Sequence, residues 1–371
     1  MTHVVEALGA SKGPDLSRIA VNMVDVATKV GSDEAVYLTE SGLELWLALL
    51  RHLTEYDEAV HALFPRIPDM LEGDLDNLRQ AMLIVEAYVV IGGPVFLQAH
   101  GPLVCRCFCR VVGQVKPKGA AFVSRALESL LRKFPADGSR MLEGGGVVRK
   151  VIEACLVAPG DNSAREPDLV IVQHLTIICR VLLGAPEAFR VALQQVASST
   201  GAAGGGRGGN SAGTPEKLVA DLLTDLVGQM VVLFDASGYS SAGVWRRRLW
   251  AMALLKLLAE AKGGVASFLD QIVNICVDVL TEEREDGGRK LKEALDQFST
   301  DQSDIASSAP SVLQSRLNEA LKTDVSVTTD LRLLVRASMD ALRATLGDDG
   351  WQAAVETVEP VILAQLRAMV A

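Results

Sequence analysis

Leu75, Leu78, Met82, Val85 and Val89 recur at steps of three and four, which draws one apolar stripe down a helix. Gly92-Gly93-Pro94 closes that stripe, because glycine suits the residue after a helix and proline cannot continue its hydrogen-bond ladder. The same succession of amphipathic stretch and Gly, Pro or Asp break fills almost the whole chain. It predicts helices over 15–30 and 33–53, over 58–72 (kinked at Pro65 and Pro68) and 74–91, and over 95–112 and 120–134. Further pairs follow over 138–157 and 168–183, 186–198 and 215–234, and 244–261 and 265–281. Two or three more helices close the chain. They include 330–346, with Leu331, Val335, Met339, Leu342 and Leu346 as its buried stripe, and 350–369. Nothing reads as a strand.

The unit that repeats is a helix pair of about forty residues, the length of HEAT or armadillo-type repeats. No repeat consensus shows in the residues themselves; pattern carries the period. The predicted fold class is therefore all-α, an α-α superhelix of the HEAT/armadillo-like solenoid kind, whose helices bury their apolar faces against sequence neighbours. Residues 1–299 are assigned to the repeats, with a flexible Gly-rich insertion at 201–214. A polar loop follows at 300–309, and 310–371 supply helices that cap the solenoid.

Hydrophobic residues make up 49% of the chain but aromatics only 5%, which favours helices packed through Leu, Val and Ala over sheets. The mean hydropathy of +0.25 raises the question of a membrane span. The most apolar stretch, 169–185, is interrupted by Gln173, His174 and Arg180, and 82–97 by Glu86 and the Gly-Gly-Pro break. A span needs about 20 mostly apolar residues, so no membrane insertion is predicted. The first fourteen residues lack the basic start and apolar core of a secretory signal, and Thr2 excludes N-myristoylation. Six cysteines inside helical patterns read as buried apolar residues of a reducing compartment. With 46 acidic against 36 basic residues and a net charge of −10, the chain repels phosphate backbones, so no direct nucleic-acid binding is expected.

Candidate chemistry is sparse. Cys105-Arg-Cys-Phe-Cys109, near His100, lacks the paired ligand spacing of a zinc site. On a helix Cys105 and Cys109 share a face with Phe108 and Val112 while Cys107 points elsewhere, so packing is the reading. His174 lies among Val, Leu and Ile and reads as a core histidine with a local hydrogen bond. No nucleophile accompanies it, and His52 and His61 lie on helices without paired carboxylates. Asp74, Asp76 and Asp348-Asp349 do not form the metal cluster of a helical cyclase, and no phosphate-binding glycine loop is present. No catalytic residue, metal or cofactor is assigned; the chain is read as a binding protein and not an enzyme. Trp245-Arg-Arg-Arg-Leu-Trp250 reads as two core anchors with arginine stems over their edges, since three consecutive arginines spread over about 200° of a helix. Glu282-Glu283-Arg284-Glu285-Asp286 forms a charged turn, and Glu282, Glu283, Glu285 and Asp286 are the candidate contacts with a basic partner.

The segment 37–50, with its Gly-Leu-Glu-Leu-Trp core at 42–46, resembles a helix of the importin-β (karyopherin) superfamily in its importin eleven branch. Asp76-Asn-Leu-Arg79 with Ile84-Val-Glu-Ala-Tyr88 is similar to the next repeat of those proteins. Leu346-Gly-Asp-Asp-Gly-Trp-Gln352, Glu356-Thr-Val358 and Gln365-Leu366 are similar to their terminal helices. The resemblance covers nearly the whole chain outside 201–214 and 299–309. It implies the C-terminal part of a nuclear transport receptor that binds protein cargo, passes nucleoporins at the pore and works in cytoplasm and nucleus. It further implies release of cargo by the GTPase Ran, expected of a full-length receptor because the family's N-terminal domain makes most of the Ran contact. The alternative from the pattern alone is a HEAT-repeat scaffold or adaptor outside nuclear transport.

Overall fold

The computed structural model describes residues 1–8, 14–55, 57–156, 166–204, 214–238, 243–260, 263–286 and 311–370. In chain order the helices are α1 (Thr2–Leu8), α2 (Pro14–Ala27), α3 (Asp33–Arg51), α4 (Glu58–His61), α5 (Arg66–Gly73) and α6 (Leu78–Val111). Next come α7 (Pro117–Lys133), α8 (Pro135–Gly144), α9 (Val147–Cys155), α10 (Asp168–Gly184), α11 (Pro186–Gly204), α12 (Pro215–Val232) and α13 (Phe234–Ser237). After α14 (Gly243–Glu260), a 3-10 turn at Gly263–Phe268 leads into α15 (Leu269–Asp286). The last four are α16 (Val312–Lys322), α17 (Val325–Thr328), α18 (Leu331–Glu356) and α19 (Pro360–Val370). Among the described residues there is no strand.

Local chemistry sets several ends. Ser32 caps α3 by accepting from the Ala35 N–H at 3.1 Å, and Thr214 caps α12 through the Lys217 N–H. Prolines open α7, α8 and α12, where a missing N–H costs nothing. The Gly92-Gly93-Pro94 break is real: Gly93 sits at φ 62°, ψ −153°, which divides the continuous element α6 in two.

Some predicted boundaries are corrected. The helix expected over 74–91 starts at Leu78, because the Asp74 carboxylate accepts from the Asp76 N–H at 3.0 Å and holds a turn there. The kinked helix over 58–72 is two short helices, α4 and α5. The helix over 138–157 becomes α8 and α9, parted at Gly146 with φ 76°. The helix over 350–369 is likewise two, since α18 ends at Glu356 and Pro360 starts α19. Residues 282–286 are no turn; they are the last turn of α15. The insertion at 201–214 begins four residues later than expected, as α11 runs to Gly204. Residues 205–213 and the loop at 300–309 lie outside the described residues.

The chain divides into two compact units. The first takes residues up to Val147 together with α16 up to Leu321; the second takes Val148 through α15 and everything from Lys322 onward. In the first, Gly42 allows α3 to close on α2: a Cβ there would stand 2.6 Å from the Ala27 Cβ. Its centre is an aromatic cluster of Trp46, Phe64, Tyr88 and Phe96, all fully buried, with the Phe64 and Phe96 centroids 4.8 Å apart and perpendicular. In the second unit α10 and α14 pack together, with Val172, Leu175 and Cys179 of the one and Trp250, Leu254 and Leu258 of the other all buried. Among the described residues two stretches, Leu78–Val111 and Gly264–Glu285, are long and apolar enough to cross a membrane. The first is interrupted at Gly93, and its apolar side chains build the core of the first unit.

Candidate interaction surfaces

The acidic end of α15 meets the arginine run of α14 within the second unit. Arg247 is ion-paired with Glu282 and lies 3.7 Å from an Asp278 carboxylate oxygen. Arg248 is ion-paired with Glu283 and donates to the Thr329 carbonyl just before α18. Burial lowers the Arg248 pKa and Asp330 pulls it back up. Glu282 and Glu283, two of the four predicted partner contacts, are thus engaged with arginines of the same unit. Glu285 is exposed, and the Asp286 side chain lies outside the described residues. Around these ion pairs opens a cavity of about 490 Å³ with Arg248, Glu282, Glu283, Asp330 and Arg332 on its walls.

The tryptophans of the same segment are core anchors, as their spacing implies. Trp245 is buried beneath two guanidinium groups, with Arg180 at 5.0 Å and Arg246 at 5.5 Å from its ring. Trp250 donates to the Thr176 hydroxyl at 3.1 Å. Below them Arg180 reaches Asp324 at 2.9 Å, with both side chains almost wholly buried. Asp324 also accepts from the Ser326 N–H and hydroxyl. Sequence reasoning missed this pair, because 144 residues separate its members.

A larger groove of about 720 Å³ opens in the second unit between α11 and α12, floored by Leu182, Leu193, Val219, Leu223 and Leu257. In the first unit a third concavity of about 420 Å³, mostly apolar, lies between α2 and α3.

The residues weighed for catalysis are placed as follows. Cys105 and Cys109 donate to the Met141 and Gly145 carbonyls, each at 3.3 Å. Cys107 is fully buried, as predicted for a packing cysteine, and burial pushes the Cys105 and Cys107 thiols up to about 12. Among the described residues no group of three or more His, Cys, Asp or Glu side chains is placed to hold a metal ion. His174 is buried as predicted, but its Nδ1 has no hydrogen-bond partner among the described residues, and desolvation lowers its pKa to about 4. His52 does meet a carboxylate, Glu6 of the unpredicted helix α1, at 2.7 Å.

The family described as "Importin-11-like, TPR repeats" matches residues 1–371. Human Importin-11 is 25% identical over 371 residues, covering 99% of this chain and 35% of that protein. Mouse Importin-11 is 24% identical over the same extent. The chain therefore spans about a third of the length of the curated relatives it matches. A solved structure described as Lph2, a novel bidirectional nuclear transport receptor in S. cerevisiae, superposes with a TM-score of 0.72 at 20% identity. The superposition covers 99% of this chain and 37% of the other, and shows a common fold of stacked helical repeats.

Proposed function

The chain belongs to the importin-11-like family, and from that premise we propose that it forms the cargo-binding helical part of a nuclear transport receptor. The carrying observation is that the family match runs over residues 1–371. The helices leave open grooves on both units, and a net charge of −10 suits basic protein cargo. In this reading the protein moves cargo between cytoplasm and nucleus, meets nucleoporins at the pore and gives up cargo when Ran in its GTP form binds the full-length receptor. Glu285 on the exposed end of α15 is a candidate cargo contact. Glu282 and Glu283 hold the arginines beside it.

Affinity capture with the endogenously tagged protein, in the presence of Ran loaded with GTP or with GDP, tests this. Nuclear proteins should be captured with Ran-GDP and released with Ran-GTP. Partners indifferent to the nucleotide would instead make the chain part of a constitutive helical scaffold.

A further inference from the structure

Packing accounts for Cys107, which is fully buried, but not for the cysteines on either side of it. Cys105 and Cys109 both line a cavity of about 530 Å³ in the first unit, between the second half of α6 and the end of α8. They lie one turn apart on one helical face, with Cβ atoms roughly 5–6 Å from each other, a span that a single ion held between two sulfurs can bridge. From α8 the Met141 thioether lines the same cavity. Its sulfur lies against Gly101, where a Cβ would stand 2.9 Å from the Sδ, and a Cβ on Gly145 would collide with the Cys105 Sγ. Two glycines thus keep the space beside two of the three sulfurs clear.

The donors that meet here are all soft. No carboxylate or imidazole stands among the described residues that line the cavity. The charged residue on its wall is a cation, Arg106, which Glu72 and Asp69 hold in place. Hard ions such as Ca2+ and Mg2+ need carboxylate oxygens, and structural zinc needs four Cys, His or carboxylate ligands. Thiolates and thioethers select Cu(I) instead. A Cu(I) ion between two thiolates carries one net negative charge, which the Arg106 guanidinium favours.

We propose that this cavity binds one soft monovalent cation, Cu(I), through the sulfurs of Cys105, Cys109 and Met141. The third donor is a methionine, so the place is not marked by any group of three His, Cys, Asp or Glu side chains among the described residues. Both thiols donate to backbone carbonyls, those of Met141 and Gly145, and the cation displaces their protons as it binds. The inference stands apart from the transport reading, since it needs only the local donor set.

The test is anaerobic titration of the reduced full chain with Cu(I) against a chromogenic Cu(I) chelator. The chain should retain one equivalent, with only sulfur neighbours in its X-ray absorption spectrum, and should hold it more tightly as pH rises. Cys109→Ser, at a half-buried position, should lower the affinity by roughly a hundredfold, and Met141→Leu by about tenfold. Gly145→Ala, at an ordinary φ of −83°, should also lower it by about tenfold, because the new methyl fills the space beside Cys105. Cys276→Ser, a buried cysteine of the second unit, should leave it unchanged. Circular dichroism checks the fold of each variant. No Cu(I) retained against the chelator, an equivalent that survives Cys109→Ser, or nitrogen or oxygen neighbours in the spectrum overturns the inference. So does tighter retention of Zn(II) at the same residues.

Discussion

The region around α3 to α7 and the region around α10, α14 and α17 solve the same problem differently. In the first, polar groups buried between helices find partners in the next repeat. Trp46 donates to the Tyr88 hydroxyl at 2.8 Å, Tyr88 to the Val60 carbonyl at 2.5 Å, and Ser129 to the buried Glu86 carboxylate at 2.5 Å. None of these bonds joins residues more than 43 apart. In the second, Arg180 reaches Asp324 across 144 residues and Arg248 reaches Thr329 across 81. The first region is knitted mainly from each repeat to its neighbour, with Arg316 of α16 returning to the Ile91 and Thr54 carbonyls; in the second the returning segment is pinned by an ion pair whose two side chains are almost wholly buried. A local bond is re-formed whenever its two helices pair; a pin exists only once the distant segment has docked.

The most severe way to break the first pattern is Trp46→Ala, which removes a buried ring and leaves the Tyr88 hydroxyl without its donor. A loss of roughly 4–5 kcal/mol should appear in urea unfolding. Breaking the second pattern at Asp324→Ala removes the carboxylate that Arg180 reaches at 2.9 Å in the buried site beside Trp245, and about 3–4 kcal/mol should be lost. Arg180→Met combined with Asp324→Leu should recover most of that, because the buried charge is gone. If the double variant is as unstable as the single one, the pin is more than its charges.

The second region also carries a pH dependence. Burial lowers the folded-state pKa of His174 from 6.5 to about 4, so the unfolded chain takes up the proton first as pH falls. Stability from this group is complete above about pH 6.5 and is lost as pH falls toward 4, by about 3 kcal/mol. His174→Leu should flatten that part of the pH–stability curve, and an unchanged slope would assign it to carboxylates. Tyr88→Phe keeps the ring but orphans the Trp46 N–H and the Val60 carbonyl, and should cost roughly 2 kcal/mol. Smallest of all, Arg18→Ala removes an exposed pair with Asp15 and should change stability by less than about 0.5 kcal/mol in thermal melts.

The contrast between the regions also explains what the sequence made legible. Stripes such as Met82, Val85 and Val89 face the core as their spacing requires, and Gly93 breaks α6 where the glycine pair predicts. Trp245 and Trp250 are buried, as predicted from an arginine run that cannot present one basic face on a helix. The Arg180–Asp324 pair was invisible, since nothing local marks an arginine that will meet a partner so far away. Helix α1 was missed for lack of an apolar stripe; Val5 is its buried residue, and Glu6 is held by Arg51 and His52. Glu282 and Glu283 read as free acids because Arg247 and Arg248 lie 35 residues before them on another helix.

Hydrogen exchange on the Asp324→Ala variant weighs the two patterns against each other in one experiment. Amides of α10, α14, α17 and the first turn of α18 should exchange at least tenfold faster than in the parent chain, with α3, α5 and α6 unchanged. Acceleration spread evenly over α3 to α7 as well, or none near α17, would contradict the distinction between local knitting and long-range pinning.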